Sequence, residues 1–196
     1  RRRQPGSEID SRARCQLPAM STNASTVPDP RAEMEERGYD IVYWPHEEMA
    51  RYNAFYNVEY EGEVIAPPAA RREGVPLNEV WVSELYRPYE RYLLHHELSE
   101  IRFRAEGYGV EKAHELALEA DTVFEGDPKW EELWTEVNVV PPERVTALEG
   151  FGPTLFERIQ RNRPYCDMDE LTEVPGIGPE RHDRLREAFW CLDCDL

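Results

Sequence analysis

The chain has 196 residues, 40% of them hydrophobic, with five Trp and ten Tyr, enough to build the cores of one or two small domains. Forty acidic residues against 23 basic ones give a formal charge of −17, which argues against a conventional basic nucleic-acid binder. No apolar run approaches the ~20 residues of a membrane-spanning helix and no N-terminal block resembles a secretory signal, so a soluble, cytoplasmic protein with no membrane partner is expected.

Arg1 to Ala19 carry five Arg against Glu8 and Asp10, and Met20-Ser21-Thr22-Asn23 reads like a natural start. Residues 1–30 are therefore expected to be a disordered leader. Tyr39 to Trp44 is a strand candidate. Pro45 to Tyr56 reads as a helix opened by Pro and two Glu, Val58 to Ala66 as a strand or hairpin arm, and Pro67 to Pro76 as a loop. Val80-Trp81-Val82 is β-rich. A long helix is expected from Pro88 to Glu106, broken by Gly107-Tyr108-Gly109, then helices over Val110 to Val123 and Asp127 to Glu136. Pro141-Pro142 marks a boundary. The expected class is α+β: a mixed domain over residues 31–140 with a few strands and a helical hairpin, then an all-α domain over 141–196.

The helix around Leu93-Leu94-His95-His96-Glu97-Leu98-Ser99-Glu100 carries the first chemistry. Projected at 100° per residue, Leu94, Leu98, Ile101 and Ala105 form one stripe, and Tyr89, Leu93, His96, Glu100 and Phe103 a second. Ser99, Arg102 and His95 fall on the remaining, wet face. His96 and Glu100 thus stack one turn apart. In the next helix Val110, His114, Ala117, Leu118 and Asp121 share a face, and an antiparallel fold-back would bring His114 opposite His96 and Glu100. Two His and one Glu suit a Zn²⁺ site with an open position, and Glu97 would be the base acting on a bound water. Alternatively, His96 and Glu100 simply bond each other and His114 is a satisfied core histidine. Residues 79–121 resemble the approach to the active helix of small zincin-like metallopeptidases, which carry His-Glu-x-x-His and often a Glu further on. Here the pattern is His-Glu-x-x-Glu over residues 96–100 with His114 beyond it, so the resemblance implies the same ligand set in a swapped order.

Two hairpins carry the second chemistry: Leu148-Glu149-Gly150-Phe151-Gly152-Pro153 and Val174-Pro175-Gly176-Ile177-Gly178-Pro179, with their glycines 26 residues apart. A Gly pair permits a sharp turn, Pro suits the first turn of the next helix, and exposed N–H groups at a helix start can seat a phosphate. The surrounding apolar positions predict a core of Val145, Leu148, Phe151, Leu155, Ile159, Leu171, Val174, Ile177, Leu185 and Phe189. Residues 141–190 resemble a tandem helix-hairpin-helix domain. That resemblance implies binding of double-stranded DNA through its backbone, by the N–H groups around Gly150, Gly152, Gly176 and Gly178 with Arg181 and Arg184 adding charge. From Pro141 onward, however, seven Arg face twelve acids. Scarce Lys, abundant Arg and excess acid resemble the composition of proteins from salt-loving organisms, such as a haloarchaeon or its virus, in which case a virion location is the alternative. At molar salt the Debye length is only ~3 Å and long-range repulsion fades.

Cys166, Cys191 and Cys194 with His182 could form a thiolate metal site; a disulfide from Cys166 to a terminal Cys, or a buried Cys166 with a frayed terminal pair, are the alternatives. The expected function is a DNA-associated, zinc-dependent hydrolase, most like a peptidase acting on a protein substrate. The alternative is a non-enzymatic DNA-binding or scaffold protein.

Overall fold

The computed structural model describes residues 27–49 and 52–192; the expected leader lies outside them, apart from its last few residues. The class is mixed α+β, with a four-stranded sheet ordered β1-β4-β2-β3. Strand β1 (Asp40–Trp44) runs parallel to β4 (Glu79–Ser83), while β2 (Ala54–Tyr60) is antiparallel to both β4 and β3 (Glu63–Ile65). Glu61 and Gly62 join β2 to β3 with φ of 53° and 88°, the paired positive values of a tight hairpin turn.

Side chains alternate across the sheet. Phe55 and Trp81 point to one face, where they pack with Met49, Ala69, Ala70 and Val75; Trp81 stacks on Trp44 with ring centres 4.1 Å apart. Ala54, Tyr56, Val58, Val80 and Val82 point to the other face. There they meet Met34 of α1 (Pro30–Glu36) and Leu94, Leu98 and Ile101 of α3 (Glu90–Ala105). The predicted apolar stripe of α3 is thus its sheet-facing stripe. The face expected to be wet is not: Ser99 is buried and His95 half-buried, because α4 (Val110–Ala120) and the short 3₁₀ turn after it (Asp121–Phe124) cover that side. Ala113 and Ala117, both fully buried, let α4 come close to α3.

Two local expectations fail for identifiable reasons. Residues 46–48 form only one 3₁₀ turn instead of a helix to Tyr56, since Phe55 and Tyr56 bury on opposite faces of the sheet as part of β2. The Pro67–Pro76 segment holds a helix, α2 (Pro68–Glu73). Its Pro occupies the first helical turn, where a missing N–H costs nothing, and Gly74 at φ 74° ends it.

Further along come α5 (Pro128–Leu133), α6 (Pro142–Thr146), α7 (Pro153–Arg161) and α8 (Pro179–Ala188), with a 3₁₀ segment over Met168–Glu173. One core unites Val137, Val140, Val145, Phe151, Leu155, Ile159, Leu171, Val174, Ile177, Leu185 and Phe189, with Leu148 partly buried against it; all ten predicted hairpin-core residues belong to it.

A buried carboxylate ties this C-terminal part to the rest. Glu136, with no exposed surface, accepts from Tyr86 Oη at 2.8 Å, from Asn138 N at 2.8 Å, from Asn138 Nδ2 at 3.0 Å and from Leu192 N at 3.3 Å. Asn138 in turn exchanges bonds with the Tyr165 backbone, and Val137 N donates to Trp190 O at 2.8 Å. Burial pushes the Glu136 pKa up, and the donors around it pull against that push. Because all four contacts donate to the carboxylate, an amide nitrogen placed there would face donors. Glu136→Gln should therefore lower stability by about 2 kcal/mol, the cost of unsatisfied buried donors, as measured by urea unfolding. A loss under about 0.5 kcal/mol, the level of an inert surface change, would show that the carboxylate holds nothing together.

Candidate functional site

Helical spacing places His96 and Glu100 one turn apart on α3, as expected. The Gly107–Gly109 break, with Gly107 at φ 96°, reverses the chain so that His114 of α4 arrives beside them. His114 Nδ1 lies 3.0 Å from His96 Nε2 and 3.4 Å from Glu100 Oε2, and His96 Nε2 lies 4.0 Å from Glu100 Oε2. One ligand atom from each residue falls within 4.8 Å of the others. Ligands bound tetrahedrally at ~2.1 Å are separated from one another by roughly 3.4 Å, which the three observed spacings bracket. Two imidazole nitrogens and one carboxylate oxygen are also a donor set that divalent ions accept. The residues present therefore fit a metal ion in both geometry and chemistry.

The surroundings orient these groups. His96 Nδ1 is 2.7 Å from one oxygen of Asp121, and His95 Nδ1 is 2.8 Å from the other. An Asp121-bound Nδ1–H leaves the Nε2 lone pair of His96 turned toward His114 and Glu100. Burial works against the Asp121 carboxylate, but the two imidazoles overcome it and hold its pKa below the usual range. Tyr56 of β2 donates to Glu100 Oε1 at 2.7 Å, leaving Oε2 for the histidines. Burial likewise penalises the Glu100 carboxylate, and bonds from His114 and Tyr56 more than offset it, so its pKa is lowered. His114 is open, with 54% of its side chain exposed, so it is not the core histidine that the apolar face of α4 implied.

Glu97 stands beside this cluster without a hydrogen bond or ion pair among the described residues. Burial, aided by repulsion from Glu100 and Asp121, pushes its pKa well above the ordinary glutamate value. Glu97 and the three candidate ligands line a cavity of about 480 Å³, whose far side is built by Pro141, Phe156 and Arg163. Asp121 was visible in the sequence only as a member of the His114 face, and Tyr56 not at all, since β2 is remote in the chain.

The hairpin glycines lie elsewhere, and the 26-residue repeat proves to be a repeat of contacts. Phe151 N bonds Leu148 O, and Ile177 N bonds Val174 O; Phe156 N bonds Gly152 O, and His182 N bonds Gly178 O. Arg158 Nη1 donates to Pro175 O at 2.8 Å and Arg184 Nη1 to Glu149 O at 2.6 Å. Each helix thus clamps the other motif's turn. Gly150 and Gly176 have φ of 86° and 101°, values that suit glycine. Gly152 and Gly178 are the N-caps of α7 and α8 without a side-chain cap, and a Cβ at either would meet nothing within 4 Å. Arg181 donates to Gly176 O. Glu149 and Glu180, 92% and 83% exposed, each pair with Arg184.

The thiol arrangement with His182 does not form among the described residues. His182 Nε2 bonds Met168 O and lies 3.5 Å from Asp169, while the free thiol of Cys191 donates to Tyr165 O. Its pKa is pushed up to about 12, first by burial and then by nearby carboxylates. Cys166 is exposed rather than buried and is held in a disulfide, and Cys15 and Cys194 lie outside the described residues. No helix among the described residues is long and apolar enough to cross a membrane. No protein-family model, curated protein or solved structure matches this chain.

If the outer residues aim the candidate ligands, their loss must weaken the site without removing a ligand. The full chain should bind one divalent ion by calorimetry with Zn²⁺. Asp121→Ala should weaken that affinity by about 10–100-fold, and His114→Ala should reduce it further. Equal binding by all three proteins would rule out these residues as the site.

Proposed function

We propose that His96, Glu100 and His114 hold a divalent cation, with zinc the best fit, and that the chain is a hydrolase acting on peptide bonds near DNA. The observation that carries this reading is the convergence of three donors at tetrahedral spacing, each of the two buried ones braced from behind, next to an unpartnered carboxyl in a large cavity. A zinc ion bound there would supply Lewis acidity, polarising a carbonyl and acidifying a bound water. The chain's own part is proton transfer and orientation of the ligands. Glu97, raised in pKa and free of partners, is suited to take a proton from the attacking water and return it to the departing amine. Asp121 and Tyr56 keep Glu100 and His96 oriented toward His114.

Glu97→Gln should leave zinc affinity unchanged while lowering hydrolysis of fluorescein-labelled casein by about 10²–10⁴-fold. Zinc binding with no hydrolysis by the unaltered chain would move the assignment to a structural metal. The second reading, a non-enzymatic DNA-associated scaffold, draws on the way His96, His114, Glu100, Tyr56 and Asp121 satisfy one another by hydrogen bonds alone.

In both readings the paired hairpins would grip duplex DNA through its backbone. The uncapped starts of α7 and α8 supply N–H groups of the kind that bind phosphate, and Arg181 and Arg184 flank them. Gly178→Asp separates folding from binding. Asp is a favourable N-cap, so thermal stability should hold or rise, yet its charge would stand where a phosphate sits. Duplex affinity, measured across a salt series, should fall about tenfold or more, the scale of one lost charged contact. Undiminished binding would remove the hairpins from any DNA interface.

A further inference from the structure

The cavity beside the candidate metal ligands is lined with acid and short of positive charge. Glu97, Glu100, Glu111 and Asp121 face it against a single Arg or Lys, Arg163, and the buried Glu136 carboxylate already balances that guanidinium. Even a bound divalent ion would offset only two of the four carboxyls. Asp121 is satisfied within the chain by His95 and His96, and Glu100 by Tyr56 and His114. Glu97 and Glu111 have neither a hydrogen bond nor an ion pair among the described residues. Glu97 is desolvated, whereas Glu111 is exposed in the first turn of α4, three residues before His114. The adjacent Lys112 is taken by Glu115 at 3.0 Å. Aromatic rings complete the lining. Trp130 and Trp134 lie with ring centres 5.2 Å apart, Trp130 buried and Trp134 only partly so. Phe156 carries Arg163 over its ring and Tyr89 carries Lys129; among the described residues, neither indole carries a cation.

We infer that this cavity takes a basic side chain, so that the peptide cut by the proposed hydrolase carries a guanidinium close to the bond that is broken. This rests on reading the cavity as a substrate site. Glu111 is the anchor: it lines the cavity beside the candidate ligands, its carboxyl has no partner to give up, and its charge is open to an incoming cation. Trp134 offers a π-face, which attracts a cation through the ring quadrupole, and a planar guanidinium stacks on such a face while a compact, strongly hydrated ammonium does not. Glu97 adds negative potential to the same space and keeps its part in handling water. An anionic ligand would meet the reverse: four acids line the cavity, and each would repel a phosphate or a carboxylate. A volume of about 480 Å³ lies within the size range of sites for small ligands, enough for one long side chain and the peptide groups next to it. The acids that argue against a nucleic-acid strand in this cavity are thus the feature that selects its occupant.

Calorimetry on the full chain with N-acetyl-argininamide and N-acetyl-citrullinamide tests this directly, since the two compounds share a shape and differ in charge. The arginine compound should bind about five- to tenfold more tightly, the scale of a partly exposed ion pair together with a cation on an indole face. Glu111→Gln should remove most of that preference while leaving Zn²⁺ affinity unchanged, and Trp134→Leu should reduce it about two- to fivefold. Equal binding of the two compounds by the unaltered chain overturns the inference, whether or not any variant folds. So does a preference undiminished in a folded Glu111→Gln chain, since the charge would then be read elsewhere. Binding of n-propylguanidine as tight as that of N-acetyl-argininamide would overturn the peptide assignment in favour of a free guanidinium compound. A Glu111-dependent preference in a chain that binds no zinc would uphold the pocket for a basic side chain and reject the metal reading alone. Zinc binding and casein hydrolysis without any preference would reject this inference alone.

Discussion

The architecture around the cavity depends on where one buried carboxylate finds its donors. Glu136 gathers Tyr86 from the segment leading into α3, Asn138 from the junction before α6 and Leu192 from the end of the described chain. Through Asn138 it also fixes the backbone of Tyr165. A desolvated carboxylate tolerates no loose partner, so these four segments are held in one arrangement. That arrangement sets Phe156 and Arg163 across from α3 and α4, and the cavity is the space left between them.

Within α3 and α4 a second constraint acts at shorter range. The sheet takes the Leu94–Leu98–Ile101 stripe, which turns the His96–Glu100 face toward α4 and away from the strands. Small Ala113 and Ala117 let the helices approach, and the polar groups between them must then satisfy one another. Asp121 does this twice over, binding His95 and His96 with its two oxygens, and Tyr56 reaches up from the sheet to complete Glu100. The candidate ligands are thus oriented by residues that serve packing first. Glu97 is the exception in this set: it is desolvated and repelled, yet bonded to nothing. Groups left in that condition cluster where chemistry is done, which is why it weighs more in the proposed mechanism than its position in the sequence alone would warrant.

The two hairpins show a different economy. Their turns are held by reciprocal arginines, Arg158 on the second and Arg184 on the first, so the repeated half-motifs lock each other as well as share a core. That use draws positive charge onto backbone carbonyls, and Glu149 and Glu180 hold Arg184 further. What remains for an anion are the N–H groups at two uncapped helix starts, since Arg181 too is bonded to a carbonyl, that of Gly176. The proposed DNA contact is accordingly one of backbone geometry, with little charge to spare.

The sequence by itself determined the elements whose signals are local. The α3 stripe, the β-rich triplet Val80–Val82, the Gly-marked reversal into α4 and the ten apolar positions around the hairpins all follow from spacing and turn chemistry, and the structure has them there. It also brought His96, Glu100 and His114 together, because helical periodicity and one antiparallel turn are enough to predict that meeting. It misplaced the segment after Pro45, where aromatic alternation into a sheet outweighed the helix-like start, and α2, where Pro68 opened a helix rather than a loop. Only the tertiary structure decided the roles of Asp121, Tyr56 and Glu136. Each acts on groups 25 to 56 residues away. Burial and the choice of hydrogen-bond partner at such distances are set by how the layers pack, and no local pattern of residues encodes them.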